Sequence, residues 1–99
     1  MAETFEPRRA NVSLSSDGRW LAYTGVETGR NEVYVQLLPP AGSKYPVTTT
    51  GGVSPLWSPD GKRLYYLDEG WRTMAADVQT QPNFLLGKST LLPIPIGNG

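Results

Sequence analysis

Short apolar runs separated by glycine, proline and small polar residues follow one another along most of the chain. Residues 20–23, 33–35 and 64–67 are such runs, and Gly, Pro, Asn or Asp residues lie close to their ends. Runs of this length with turn-forming residues at their ends predict β-strands. Residues 71–78 are the one stretch that could form a helix, but it is short, lacks a good N-terminal cap and fits a strand better. The pattern therefore predicts an all-β fold.

Two segments of the chain are near copies of each other. "LSSDGRWLAYT" occupies residues 14–24, and "WSPDGKRLYYL" occupies residues 57–67. When their Asp-Gly pairs are aligned, each copy contains four predicted strands, which together form an antiparallel meander. The predicted strands are 11–15, 19–24, 32–38 and 45–49 in the first copy (11–53), and 54–58, 62–67, 72–78 and 90–96 in the second copy (54–96). The repeat predicts two four-stranded sheets in one unit that spans residues 1–99.

Each Asp-Gly pair is predicted to close a tight turn. Pro59 presets φ for the first corner, and Gly61 supplies the positive φ that leads into the next strand. The alternative is a cation bound at Asp17 or Asp60. Each of these residues has a single carboxylate nearby in sequence, whereas calcium takes six to eight oxygen ligands. We therefore predict turns and no metal site.

The strands after the turns carry apolar side chains at both even and odd positions, so they are apolar on both faces. A sheet with one wet face alternates polar and apolar residues, so each of these sheets should be covered on both sides. Pro46, Pro93 and Pro95 lie in the predicted fourth strands. Because proline cannot donate to a strand ladder, the fourth strand should lie at an outer edge of each sheet.

Composition excludes several functional classes. The 99 residues include nine basic and nine acidic side chains, no cysteine and no histidine. The chain therefore has no Ser-His or Cys-His catalytic pair and no thiolate zinc site, and its scattered basic residues form no nucleic-acid stripe. No run approaches the roughly 20 apolar residues of a membrane span, and the N-terminus has no apolar signal segment. We expect no cofactor, no nucleic-acid partner and no membrane partner.

These segments resemble the WD40-like "PD40" repeat of TolB-type β-propellers. The resemblance rests on "WSPDG" at 57–61, on the aliphatic and aromatic strand that follows it, and on "VYV" at 33–35. The first copy departs from the pattern, since Leu14 replaces the aromatic residue and Ser16 replaces the proline. Residues 11–96 are covered, most similarly to the last two blades of bacterial propellers that follow a kinase or regulator domain. No kinase or DNA-binding motif is present, so the activities of those partner domains do not carry over to this chain.

Two blades are too few to close a ring, because propellers contain about four to eight. Two stacked sheets would also leave an apolar outer face on each, and large exposed apolar patches mark interaction surfaces. Either the chain is a piece of a longer propeller, or copies of it assemble. Met1 and the Gly97-Asn98-Gly99 end are compatible with a complete product. Because two blades alone would be hard to keep folded and soluble, we expect a homo-oligomer, a trimer or a tetramer. A dimer that packs sheets face to face is the alternative.

The resemblance implies a non-catalytic scaffold that binds a protein or peptide partner through the loops of one rim. These loops are predicted at 25–31, 51–55 and 68–71. Trp57 is expected in the core of its blade, whereas Trp71 stands at the start of a strand and is a candidate binding aromatic. The candidate binding residues are Glu27, Arg30, Asn31, Asp68, Glu69 and Trp71.

Two other functions stay open. The chain could be a fragment or accessory gate of a propeller-containing hydrolase, although Asp68 and Glu69 are sequence neighbours rather than carboxylates facing each other across a cleft. It could also bind a small ligand or a sugar in the central channel of an assembled ring. First-strand residues would line that channel, namely Asn11, Ser13, Ser15, Ser54 and Ser58. The expected compartment depends on the origin of the chain. It is the cytoplasm by default and the periplasm if the chain is a piece of a TolB-like parent.

Overall fold

The computed structural model describes residues 11–38, 44–81 and 83–92, which form eight β-strands. Within these residues there is no helix, and so none that is long and apolar enough to cross a membrane. The strands are β1 (Val12–Leu14), β2 (Trp20–Gly25), β3 (Glu32–Leu37), β4 (Lys44–Pro46), β5 (Val53–Trp57), β6 (Arg63–Leu67), β7 (Thr73–Gln79) and β8 (Leu85–Leu91).

The strands form two four-stranded antiparallel sheets, and the spatial order in each follows the sequence. Sheet 1 has the order β1-β2-β3-β4 and sheet 2 the order β5-β6-β7-β8. This arrangement confirms the predicted all-β class and the two four-stranded meanders. Pro46 lies in β4, which is an edge strand as predicted, whereas Pro93 and Pro95 lie outside the described residues.

The predicted position of the last strand was wrong. The fourth strand of the second copy was predicted at 90–96, but β8 runs from Leu85 to Leu91. Leu85 pairs with Gln79 and Leu86 with Val78, so β8 begins soon after β7 ends. Every residue of β8 is exposed, and an exposed edge strand is held by its backbone ladder without an apolar pattern that the sequence would reveal.

The two Asp-Gly turns have the same hydrogen bonds, which supports their equivalence. In the second copy the Ser58 hydroxyl donates to Asp60 Oδ1 at 2.6 Å, and the Lys62 amide donates to the same oxygen at 2.9 Å. The Arg63 amide donates to Ser58 Oγ at 3.0 Å. The corresponding bonds of the first copy join Ser15 to Asp17, Arg19 to Asp17 and Trp20 to Ser15.

These bonds stabilise the charged form of both turn carboxylates. The Ser15 hydroxyl and then the Arg19 amide lower the pKa of Asp17 below its ordinary value of 3.8. The Ser58 hydroxyl and then the Lys62 amide do the same for the pKa of Asp60. Both carboxylates are therefore engaged by their own turns, as the sequence predicts for an Asp-Gly corner.

The core lies between the sheets, where β5 packs across β1, β2 and β3. Trp57 is 6% exposed there, which confirms its predicted place in the core. Phe84, from the connection before β8, reaches across to sheet 1 and places its ring 5.7 Å from that of Trp20. The other main core residues are Ala22, Val33, Val35 and Val47 from the first copy, and Leu64, Tyr66, Ala76 and Val78 from the second.

The opposite faces of both sheets keep apolar side chains in contact with solvent. On sheet 1, Val12 and Leu14 are 57% and 54% exposed. On sheet 2, Leu56 is 48% exposed. Tyr34 is buried on the outer face of sheet 1, where its ring stacks on Tyr23 at 5.7 Å between centroids. Each outer face is thus partly apolar.

Candidate functional site

A cleft of about 320 Å³ lies where loops from both sheets meet. We call it the rim cleft. The β2–β3 loop, the segment before β5 and the β6–β7 turn form its walls. Five of the six predicted binding residues line it, although they come from different parts of the chain. The lining residues are Arg30, Asn31, Gly51, Gly52, Val53, Asp68, Glu69 and Trp71.

Asp68 organises the β6–β7 turn. Its Oδ1 accepts hydrogen bonds from the amides of Gly70 and Arg72, both at 2.9 Å, and its Oδ2 accepts one from Arg72 Nε at 2.9 Å. These interactions, led by the Arg72 amide, lower the pKa of Asp68 below its ordinary value of 3.8. Because Arg72 satisfies the charge of Asp68, this carboxylate holds the turn in shape and is a weak candidate for a partner's contact.

This turn presents Trp71 to solvent. Trp71 is 69% exposed and has a φ of +64°, in the left-handed region that non-glycine residues rarely adopt. That conformation costs about 1–2 kcal/mol. The Trp71 amide donates to the Asp68 carbonyl at 2.9 Å, so the turn enforces the conformation. An exposed, strained aromatic in a cleft is the kind of outlier from which a functional hypothesis can start.

An ion pair joins the two sheets across the rim cleft. Arg30, from the β2–β3 loop of sheet 1, lies with its terminal nitrogen 3.5 Å from Glu69 Oε2 on the β6–β7 turn of sheet 2. The side chains are 52% and 73% exposed, respectively. Exposed pairs of this kind contribute about 0–1 kcal/mol. Breaking this pair therefore costs little, and Arg30 keeps a second carboxylate nearby, since its Nε lies 4.0 Å from Oε2 of the buried Glu32.

Glu32 lies next to the rim cleft, in contact with Arg30 and Gly51, and was not predicted from the sequence. The residue is 3% exposed, and its Oε1 accepts hydrogen bonds from the Thr48 hydroxyl and, at 2.9 Å, from the Gly51 amide. Thr48 Oγ1 in turn accepts from the Val33 amide at 2.9 Å. The one signal in the sequence is a glutamate directly before the apolar "VYV" run, which is equally compatible with a solvated strand end.

The backbone of residues 51–52 approaches its neighbours closely. A β-carbon added at Gly52 would lie 2.7 Å from Thr48 Cγ2, closer than side chains tolerate. The Gly52 amide donates to the Asn31 carbonyl at 3.0 Å. Gly51 has a φ of +108° and packs beside the side chain of Glu69. The two glycines thus let this segment form one wall of the rim cleft.

Glu27, the sixth predicted residue, does not line the rim cleft. It forms an ion pair and a hydrogen bond with Lys44 at the start of β4. The Glu27 carboxylate raises the pKa of Lys44. Lys44 also lies 5.9 Å above the ring of Tyr34. Glu27 therefore belongs to the outer surface of sheet 1.

The first-strand polar residues proposed for a ligand channel make internal hydrogen bonds. Ser15 and Ser58 cap the Asp-Gly turns and are buried. Ser13 accepts a hydrogen bond from the Trp57 amide, and the Asn11 carbonyl accepts one from the Thr24 amide. The Ser54 amide donates to Thr24 Oγ1 at 3.3 Å. The side chains of Ser13, Ser15 and Ser58 are thus engaged within the chain, whereas Asn11 and Ser54 take part in these contacts through their backbone.

A second cleft of about 350 Å³ lies beside the first Asp-Gly turn and the connection between β7 and β8. It contains an aromatic cluster, in which Tyr45 and Phe84 have ring centroids 5.0 Å apart. Trp20 and Phe84 are 6% and 5% exposed, so they offer little aromatic surface to a ligand. The rim cleft, with its exposed tryptophan and its solvent-exposed Arg30–Glu69 pair, is the better candidate site.

In comparisons with known proteins, no family model matches this chain, and no curated protein matches it.

Proposed function

We propose that the chain is a non-catalytic interaction module that binds a segment of a protein or peptide partner in the rim cleft. The observation that carries this proposal is Trp71, which the Asp68 turn holds exposed in a strained conformation beside the charges of Arg30 and Glu69. Tryptophan and arginine are enriched among the residues that contribute most to protein binding.

The charges favour a peptide over a purely apolar ligand. Arg30 and Glu69 lie 3.5 Å apart and are half or more exposed, so an incoming segment can exchange this weak pair for two of its own contacts. Asp68 remains neutralised by Arg72. The cleft therefore offers an aromatic platform with one cation and one anion beside it. A segment with an apolar side chain next to charged residues fits this arrangement.

The proposal also concerns the architecture that presents the cleft. We propose that the two sheets are PD40-type propeller blades and that copies of the chain associate to complete a ring, three copies supplying six blades or four copies eight. The sequential strand order, the matching hydrogen bonds of both Asp-Gly turns and the exposed apolar residues of the outer faces support this proposal.

A peptide library displayed on phage tests the binding proposal. The wild-type chain should select peptides that share an apolar residue with charged neighbours, and Trp71→Ala should weaken them at least tenfold. Glu69→Lys should weaken peptides that present a basic residue. Leu85→Ala is a matched control, because Leu85 is 57% exposed and lies outside the rim cleft.

Two results would contradict the proposal. One is a set of selected peptides that bind Trp71→Ala and Glu69→Lys as tightly as the wild type. The other is binding of a glycan from a sugar array, with no peptide selected, that Trp71→Ala abolishes. The second result would assign the cleft to a small ligand instead.

A further inference from the structure

The contact between the two sheets joins opposite faces of the repeat. In sheet 1, Ser13 of β1 pairs with Ala22 of β2. The corresponding pair of sheet 2 joins Leu56 of β5 to Tyr65 of β6, so Ser13 and Leu56 are equivalent positions. Leu14 pairs with Leu21 in sheet 1, and the matching pair in sheet 2 joins Trp57 to Leu64. Leu14 and Trp57 are therefore also equivalent. Adjacent residues of a strand point to opposite faces, so these positions label the two faces of each sheet.

Inside the chain, the Ser13 face of sheet 1 packs on the Trp57 face of sheet 2. The Trp57 amide donates to Ser13 Oγ at 3.2 Å, and Trp57 Nε1 donates to the Ser13 carbonyl at 3.0 Å. The contact is thus heterologous: one sheet contributes one face of the repeat, and the other sheet contributes the opposite face.

The faces left uncovered are the counterparts of the two that are buried. Leu14, on the outer face of sheet 1, is equivalent to Trp57 and is 54% exposed. Leu56, on the outer face of sheet 2, is equivalent to Ser13 and is 48% exposed. The chain therefore exposes both halves of an interface that it already forms once internally.

The sizes of the side chains agree with this correspondence. Within the chain the large Trp57 meets the small Ser13, whereas the exposed counterparts are two leucines of intermediate size. Close packing between sheets can be met by one large and one small side chain or by two side chains of intermediate size.

From this correspondence we infer that a second copy of the chain docks head to tail, with the outer face of its sheet 1 on the outer face of sheet 2. The contact places Leu14 of one copy against Leu56 of the next. This inference rests on the proposal that copies associate, and it specifies the surfaces and their polarity. A heterologous contact of this kind continues from copy to copy until a ring closes.

Complementation between two blocked variants tests the polarity. Leu14→Asp blocks one outer face and Leu56→Asp the other, so each variant alone should sediment as a monomer at concentrations where the wild type is a larger oligomer. An equimolar mixture should form a dimer that grows no further, because one intact face of each kind remains. Leu86→Asp should assemble like the wild type, because Leu86 pairs with Val78 on the other face of the edge strand β8 and is 42% exposed.

Cysteine cross-linking provides a readout that does not depend on blocked variants. The chain contains no cysteine, so Leu14→Cys and Leu56→Cys each introduce a single thiol. When isotope-labelled Leu14→Cys is mixed with unlabelled Leu56→Cys and oxidised, we expect disulfide dimers of mixed mass. Dimers made of Leu14→Cys alone would show a symmetric contact and overturn the inference.

A wild-type chain that remains a folded monomer at all concentrations would also overturn the inference, as would a mixture of blocked variants that stays monomeric. Failure of assembly is distinguishable from failure of peptide binding. Leu14 lies outside the rim cleft, so the Leu14→Asp monomer can be titrated with the selected peptides on its own.

Discussion

Trp57 and Ser13 connect the two sheets through two hydrogen bonds. The indole Nε1 of Trp57 donates to the Ser13 carbonyl at 3.0 Å, and the Trp57 amide donates to the Ser13 hydroxyl oxygen at 3.2 Å. Trp57 is 6% exposed, so the indole bond lies within the core and replaces water as the partner of a strand carbonyl. The single residue thus combines apolar packing with a polar tie between sheets.

Trp57→Phe should lower the free energy of unfolding by about 1–3 kcal/mol, because it leaves the partly buried Ser13 carbonyl without its indole donor. Urea unfolding followed by far-ultraviolet circular dichroism measures the loss. Trp71→Phe is the control, since Trp71 is 69% exposed, and its effect should stay within about 0.5 kcal/mol. Equal losses in the two variants would refute the structural role given to the indole nitrogen.

Phe84→Ala should be more damaging. Phe84 is 5% exposed and contacts Trp20 and Tyr45, so its removal leaves a cavity where the β7–β8 connection reaches sheet 1. Truncation of a buried phenylalanine costs about 3–5 kcal/mol. The neighbouring Leu85→Ala, at a position 57% exposed, should cost less than about 1 kcal/mol. A thermal melt of both variants decides the matter, and similar melting temperatures would speak against this packing.

Gly52→Ala should destabilise the wall of the rim cleft by about 1–3 kcal/mol, because the new methyl group would lie 2.7 Å from Thr48 Cγ2. Gly70→Ala is a control, since its nearest contact would be 3.5 Å. Adding Thr48→Ser to Gly52→Ala removes the clashing methyl group and keeps the hydroxyl that donates to Glu32. Denaturant unfolding should therefore show partial recovery in the double variant. No recovery would indicate that another contact causes the loss.

Acid should destabilise the chain through its turn carboxylates. The pKa values of Asp17, Asp60 and Asp68 are lowered from 3.8 in the folded chain. The unfolded chain therefore binds more protons near that pH, so this share of stability is complete above about pH 3.8 and is lost as the pH falls through the folded pKa values. Unfolding midpoints measured between neutral and acidic pH should show this decline.

Ser58→Ala tests whether the Ser58 hydroxyl lowers the pKa of Asp60, because it removes the hydroxyl and keeps the carboxylate. The hydroxyl of Ser58 is the main group that lowers the pKa of Asp60, so its removal should bring the acid transition of Asp60 closer to 3.8. The variant should then lose less stability on acidification than the wild type does. An unchanged slope against pH would show that the hydroxyl does not hold the carboxylate in its charged form.

The parts of the fold that local sequence chemistry determines were predictable. Ser58-Pro59-Asp60-Gly61 encodes its turn within four adjacent residues, and the repeat extended that prediction to the first copy. The position of β8 was not predictable, because an exposed edge strand carries no burial pattern and is fixed by its pairing with β7. The irregular registers of the β5–β6 and β7–β8 pairs were not predicted either.

The candidate site was predicted in part. Loop positions and residue types pointed to Arg30, Glu69 and Trp71, and these residues do line one cleft. The sequence did not reveal that Glu32 would be buried next to the cleft, since its partners Thr48 and Gly51 lie in a connection distant along the chain. Nor did it separate Glu27 from the group. Contacts between distant segments depend on how the sheets pack, which adjacent residues do not encode.

The sequential order of strands has a consequence for how the chain folds. Each strand pair that the structure describes joins neighbours in sequence, so both sheets can form by closing short loops, which is fast. Contacts such as those of Trp57 and Phe84 require the two sheets to meet and should form after the hairpins. In stopped-flow experiments, substitutions at these two positions should therefore accelerate unfolding more than they slow refolding. The lifetime of the folded chain is then determined at the boundary between the two sheets.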